Sequence, residues 1–145
     1  MVFDNLDQIV TYIQRAVSDE LPILGESMKE IMDTTLMNET GYNRRKPHMY
    51  DRTGGMENIC EYEQIGDSEV DGIFRDNGSW VDKHGNHYFV FNRWEEGKVW
   101  APGYTDSNPI FYPKTDIETN SRNEINTKIP IELKERLRAK GLSVL

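Results

Sequence analysis

Apolar residues recur at intervals of three and four through the first quarter of the chain. Leu6, Ile9, Val10, Ile13, Ala16 and Val17 place one stripe along a helix face, and Asp4 is positioned to cap its first turn. Ser18, Asp19 and Pro22 then predict a break, with the polar residues as caps and the fixed proline in the first turn of a new helix. A second stripe, Leu24, Met28, Ile31, Met32 and Leu36, follows, so the pattern predicts two amphipathic helices packed by their stripes. The methionines read as core packing, because a thioether fills irregular gaps.

Periodicity stops over residues 38–55, where Gly41, Pro47 and the Gly54-Gly55 pair punctuate a polar loop. Beyond it the period changes to two. Short alternating runs at 56–65, 69–76, 79–84, 87–93 and 98–101 predict strands of an antiparallel meander. Asn77-Gly78, Gly85-Asn86 and Glu95-Glu96-Gly97 supply the turn chemistry between them, with Asn77-Gly78 the strongest two-residue hairpin signal.

Residues 114–128 carry only Ile117 and Ile125 as large apolar side chains. So little apolar area predicts an extended arm, lying on the domain or a neighbour. A short terminal helix is expected over 130–140, with Pro130 in its first turn, Glu132 four residues before Arg136, and Gly141 as its stop. Helices, then strands, then a last helix describe an α+β chain, with a core domain at 1–112 and an arm with a short helix at 113–145. On this reading, a chain ending at Tyr112 keeps a cooperative fold.

With 145 residues, 37% of them hydrophobic and 29% charged, one small core is expected, with much of the surface solvated or held against partners. The formal charge of -8 sets a field that repels nucleic acid and anionic membranes, so DNA contact is expected only locally. No run approaches the ~20 apolar residues of a membrane span, and no basic leader precedes the first helix; the expectation is a chain starting at Met1 in a cytoplasm. Cys60, the single cysteine, stands in an alternating segment with no histidine nearby and reads as a buried structural thiol.

Three constellations bear on chemistry. Asp67, Glu69, Asp71 and Gly72 open like a calcium loop, but Gly78 stands where the closing bidentate carboxylate belongs, so a solvated acidic turn is expected. Asp82, His84 and His87 flank a tight turn at spacings that place three candidate metal ligands near one another, and their bland reading is two exposed histidines beside a turn. Arg44, Arg45, Lys46, His48 and Arg52 form the one dense basic cluster, suited to phosphate or, in so acidic a chain, to carboxylates of a neighbouring subunit. No GxSxG, HExxH, GxxxxGK or GxGxxG motif is present, and no cofactor or catalytic residue is expected.

The run Tyr50-Asp51-Arg52-Thr53-Gly54-Gly55-Met56 resembles a motif of the small head-tail joining and tail-completion proteins of tailed bacteriophages. In that family a helical N-terminal half leads to a tyrosine, an Arg-Thr-Gly turn and an apolar residue opening the first strand. Tyr50, Arg52, Thr53, Gly54 and Met56 follow this order, and a Pro-aromatic stretch, 108–113, precedes the terminal segment as it does there. Met56 stands where the family more often has leucine, and the Trp-rich segment 80–100 is a departure from it. The resemblance implies a non-enzymatic virion protein, a ring subunit of the neck, hexameric or dodecameric, meeting the connector and the tail-tube or tail-terminator proteins. The candidate interface residues are Arg44, Arg45, Lys46, Arg52, Trp80, Trp94 and Trp100. The alternative is a small carbohydrate- or peptide-binding module, its groove lined by Trp80, Tyr88, Trp94 and Trp100.

Overall fold

A computed structural model of the chain describes residues 2–41, 58–78, 81, 84–87, 89–99, 105 and 107–144. Its elements run α1 (Leu6–Thr40), β1 (Cys60–Ile65), β2 (Glu69–Phe74), α2 (Val90–Glu95) and α3 (Ile117–Ala139). Helices and an antiparallel strand pair segregate along the chain, the α+β class that the sequence predicts.

The expected break at 18–22 is absent: α1 is one helix of 35 residues, passing through Pro22. Burial explains why. Ala16, Glu20, Leu24, Met28, Met32, Leu36 and Thr40 are buried at every fourth position, so packing is continuous on both sides of the proline. Pro22 itself faces solvent. An interior proline costs about 3 kcal/mol, which tertiary burial of this length outweighs. The cap is Asn5, one residue after the expected Asp4: Asn5 Oδ1 accepts from the Gln8 N–H at 3.0 Å, and Gln8 Oε1 accepts from the Asp4 N–H at 2.8 Å. Gly41, at φ 58°, ends the helix.

β1 and β2 pair from Cys60↔Phe74 to Ile65↔Glu69 around a turn at 66–68. They lie against α1 at two glycines. A Cβ on Gly25 would sit 2.3 Å from Tyr62 Cδ2, and one on Gly72 would sit 2.6 Å from Met32 Sδ, so both backbones approach closer than any other residue allows. Among the described residues the sheet has two strands, with an isolated antiparallel bridge Val81↔His87, in place of the longer meander. Most of 79–84 and part of 98–101 lie outside the described residues. The predicted strand 87–93 instead leads into α2, because Val90, Phe91 and Trp94 bury one helical face. No described non-glycine residue has positive φ, so Asn77-Gly78 is not the expected two-residue hairpin turn. Asp76 Oδ1 accepts from the Gly78 N–H there, at 2.9 Å.

The expected extended arm is also replaced by helix. α3 spans 23 residues, passing through Pro130, and the short terminal helix is only its last part. It runs antiparallel to α1: Asn120 bonds Glu39, Ser27 bonds Glu132, and Lys140 meets Asp19 and Glu20. The apolar poverty of 114–128 misleads because one stripe suffices: Ile117, Ser121, Ile125, Ile129, Leu133 and Leu137 recur every four residues, and each is buried or half-buried. Two rows at four-residue spacing are the ridges that helices interleave. Solvent-side pairs at the same spacing, Glu118–Arg122 at 2.8 Å and Glu124–Lys128 at 2.7 Å, support the polar face. α2 and α3 are both followed by a left-handed glycine whose neighbours close on the last turn. Gly97 N–H donates to Trp94 O and Lys98 N–H to Arg93 O, and Gly141 and Leu142 repeat this on Arg138 and Leu137.

The main core joins all of these elements. Met32, Leu36, Ile59, Cys60, Val90, Phe91, Trp94 and Ile117 form one buried cluster, with Phe74, Phe89, Val99, Tyr112 and Ile125 packed around it. Phe74 stacks on Phe91 at 4.4 Å, and Trp94 on Tyr112 at 5.5 Å. Because Ile117 and Leu137 are buried, the segment 113–145 helps to build the fold that the sequence assigns to 1–112 alone.

Candidate functional site

Of the seven interface candidates, Arg44, Arg45, Lys46, Arg52, Trp80 and Trp100 lie outside the described residues, as do Tyr88 and the motif 50–56. Trp94 is placed, and it is 6% exposed. Its indole stacks on Tyr112 in the core, so it supplies packing rather than an aromatic binding surface.

Asp82 is outside the described residues, while His87 Nε2 meets Asp76 Oδ2 at 2.6 Å, a carboxylate that the local spacing does not point to. The Gly78 N–H and then the His87 ring hold the Asp76 carboxyl below its ordinary pKa. Glu69 and Asp71 are exposed on β2, beside the turn that carries Asp67. Among the described residues no group of three His, Cys, Asp or Glu could hold a metal ion. Cys60 is buried under α1, and burial first, then Asp33, pushes its thiol pKa up, opposite to what a nucleophile needs.

Two polar clusters that the sequence does not reveal are structural joints. Glu20, buried on α1, takes Lys140 Nζ at 2.9 Å and Arg136 Nη1 at 3.5 Å, while Arg136 Nε also holds Glu132, which accepts from Ser27 Oγ. Hydrogen bonding to Glu20 raises the Lys140 pKa. This clasp ties the end of α3 to the middle of α1. Glu95 on α2 caps α3 from outside: its Oε1 accepts from Thr115 Oγ1 and from the Ile117 N–H, each at 2.7 Å. Asp116, the residue at the cap position, makes no such bond. The signal for both is a carboxylate placed near a helix end in space, which no local spacing encodes.

Between α1, β2, α2 and α3 lies a cleft of about 460 Å³, walled by Met28, Met32, Phe74, Phe91 and Ile125. Ser121 Oγ is buried at its edge without a hydrogen-bond partner. Around it, the charged pair Glu118–Arg122 is a surface ion pair, not an acid and base converging on a substrate position.

A solvent-facing apolar surface lies at the start of α1. Leu6 is 71% exposed, Ile9 37%, Val10 43% and Ile13 43%. These four occupy one face at three- and four-residue spacing, in line with the stripe that α3 and the sheet cover farther along. No helix among the described residues is long and apolar enough to cross a membrane.

Comparison of the chain with protein-family models, with curated proteins and with solved structures gave no match.

Proposed function

We propose that the chain is a structural assembly protein, a ring subunit in the neck of a tailed phage at the tail-completion or terminator position, without catalytic role. The observation that carries the assembly reading is the exposed apolar face over the first turns of α1. A contiguous apolar face on a polar, strongly acidic chain is the kind of surface that partner proteins cover. What points to the neck in particular is the resemblance at Tyr50, Arg52, Thr53, Gly54 and Met56, set between a helical N-terminal part and the first strand. The partners in this reading are further copies of the chain, the head connector and the tail-tube or tail-terminator proteins. The basic cluster Arg44-Arg45-Lys46 would meet acidic protein surface or, locally, DNA.

Disrupting the gene in the phage that encodes the chain tests this. Filled heads and separate tails should accumulate, and purified protein added to the lysate should restore joining. Normal infectious particles without the protein would refute the proposal.

A further inference from the structure

Asn77-Gly78 is the one Asn-Gly step in the chain. Such a step is chemically labile, because a glycine without Cβ lets its own amide nitrogen reach the side-chain carbonyl carbon of the asparagine before it. Here that nitrogen is occupied. The Gly78 N–H donates to Asp76 Oδ1 at 2.9 Å, and the other oxygen of the same carboxylate, Oδ2, is held by His87 Nε2 at 2.6 Å. Asn77 and Gly78 are both exposed, so water and hydroxide reach the step and burial does not protect it.

We propose that Asn77 is a latent deamidation site, held back in the folded chain by the Asp76 carboxylate, with His87 positioning that carboxylate. The reaction starts when hydroxide removes the Gly78 amide proton. The nitrogen then attacks the Asn77 side-chain carbonyl carbon; a C–N bond forms, the bond to the side-chain amide nitrogen breaks, and ammonia leaves with a proton from water. Water opens the resulting succinimide at either carbonyl, leaving aspartate or, with the main chain rerouted through the side chain, isoaspartate. Asp76 opposes the first step in two ways. Its hydrogen bond is lost when the proton leaves, and its negative charge repels the amide anion that forms. The carboxyl is ionised across the neutral range, since the Gly78 N–H and then His87 hold its pKa below the ordinary value.

Reaction makes the chain one unit more negative than its formal -8 and sets a new carboxylate beside the one that pairs with His87. The hold joins two segments, since Asp76 follows β2 and His87 belongs to the isolated bridge with Val81. Whatever parts His87 from the end of β2 therefore also loosens the restraint on Asn77. The inference does not depend on the neck reading, and the purified chain alone tests it.

Tryptic mapping during long incubation at mildly alkaline pH follows the mass gain of an amide turned acid in the peptide 76–83, which Arg75 and Lys83 delimit. Each chain is compared with a synthetic peptide of its own 76–83 sequence, which reacts without the fold. The folded natural chain should react more slowly than its peptide, and Asn77→Gln should remove the mass gain. Relative to its peptide, folded Asp76→Ala should react about fivefold faster than the natural chain, the factor set by one hydrogen bond of ordinary net strength, with unchanged far-ultraviolet circular dichroism. Asp76→Ser, whose hydroxyl can still accept from the Gly78 N–H without a charge, should fall between the two, and His87→Ala should give a smaller gain than Asp76→Ala. A natural chain that reacts as fast as its peptide would overturn the proposal. So would Asp76→Ala and Asp76→Ser chains that react no faster than the natural one.

Discussion

Replacing Gly25 by alanine sets two physical effects against each other. In an exposed helix interior, alanine in place of glycine gains up to about 1 kcal/mol. At Gly25 the added Cβ would meet Tyr62 Cδ2 at 2.3 Å and its Cε2 and Cγ at 2.6 Å, well inside van der Waals contact. The ring lies against the helix backbone where β1 crosses α1, so either Tyr62 swings out or the strand lifts. Overpacking of this kind costs about 1–3 kcal/mol. Subtracting a helix gain of about 0.5–1 kcal/mol leaves a net loss of roughly 0–2.5 kcal/mol, or up to about 10 °C in Tm for a chain of this size. Urea unfolding followed by circular dichroism measures it. The decisive comparison is Gly25→Ala in a Tyr62→Ala background, where the obstruction is gone and the substitution should stabilise by about 0.5–1 kcal/mol. If Gly25→Ala stabilises the natural chain, α1 and β1 do not approach as described.

Helix contacts set three further outcomes. A chain ending at Tyr112 loses α3, hence Ile117 and Leu137 from the buried set, and should lose its cooperative thermal transition; a sharp transition in that chain would return α3 to the status of an appendage. Glu95→Ala leaves the Ile117 N–H and Thr115 hydroxyl without their acceptor and should cost about 1–3 kcal/mol in urea unfolding, whereas a loss below about 0.5 kcal/mol would mean that Glu95 is not the cap. Because the folded Lys140 pKa is raised by Glu20, the stability it contributes is fully present below the ordinary lysine range and lost as pH rises through the folded value. Tm profiles from pH ~7 to ~11 should fall less steeply above pH ~10 in Lys140→Met than in the natural chain, and parallel profiles would refute the Glu20–Lys140 clasp.

Whether a feature is legible in the sequence depends here on whether its signal is local. The stripes of α1, the strand pair β1–β2 and the glycine stop at Gly141 can all be read from neighbours in the chain, whereas Gly97, which reads as a turn between strands, closes α2. Pro22 and Pro130 argue for helix boundaries by local rules, and both are overridden by burial that spans them. α3 escapes local reading for two reasons. Counting large apolar residues passes over Ser121, a small buried member of its four-residue row, and its polar face is rich in Asn and Thr, which favour caps and turns. Trp94 reads as a surface aromatic within a polar segment, yet the helical spacing of Val90, Phe91 and Trp94 holds the evidence for burial. The exposed face at Leu6, Ile9, Val10 and Ile13 cannot be told from core, because amphipathicity shows that a face needs covering and not what covers it.

The neck reading is tested most directly by a cryo-electron reconstruction of the particle that carries the protein. A ring should stand between head connector and tail, its subunit density accepting the long α1 with α3 antiparallel along it. Density for this subunit elsewhere in the particle, or complete absence of the protein from purified virions, would contradict it.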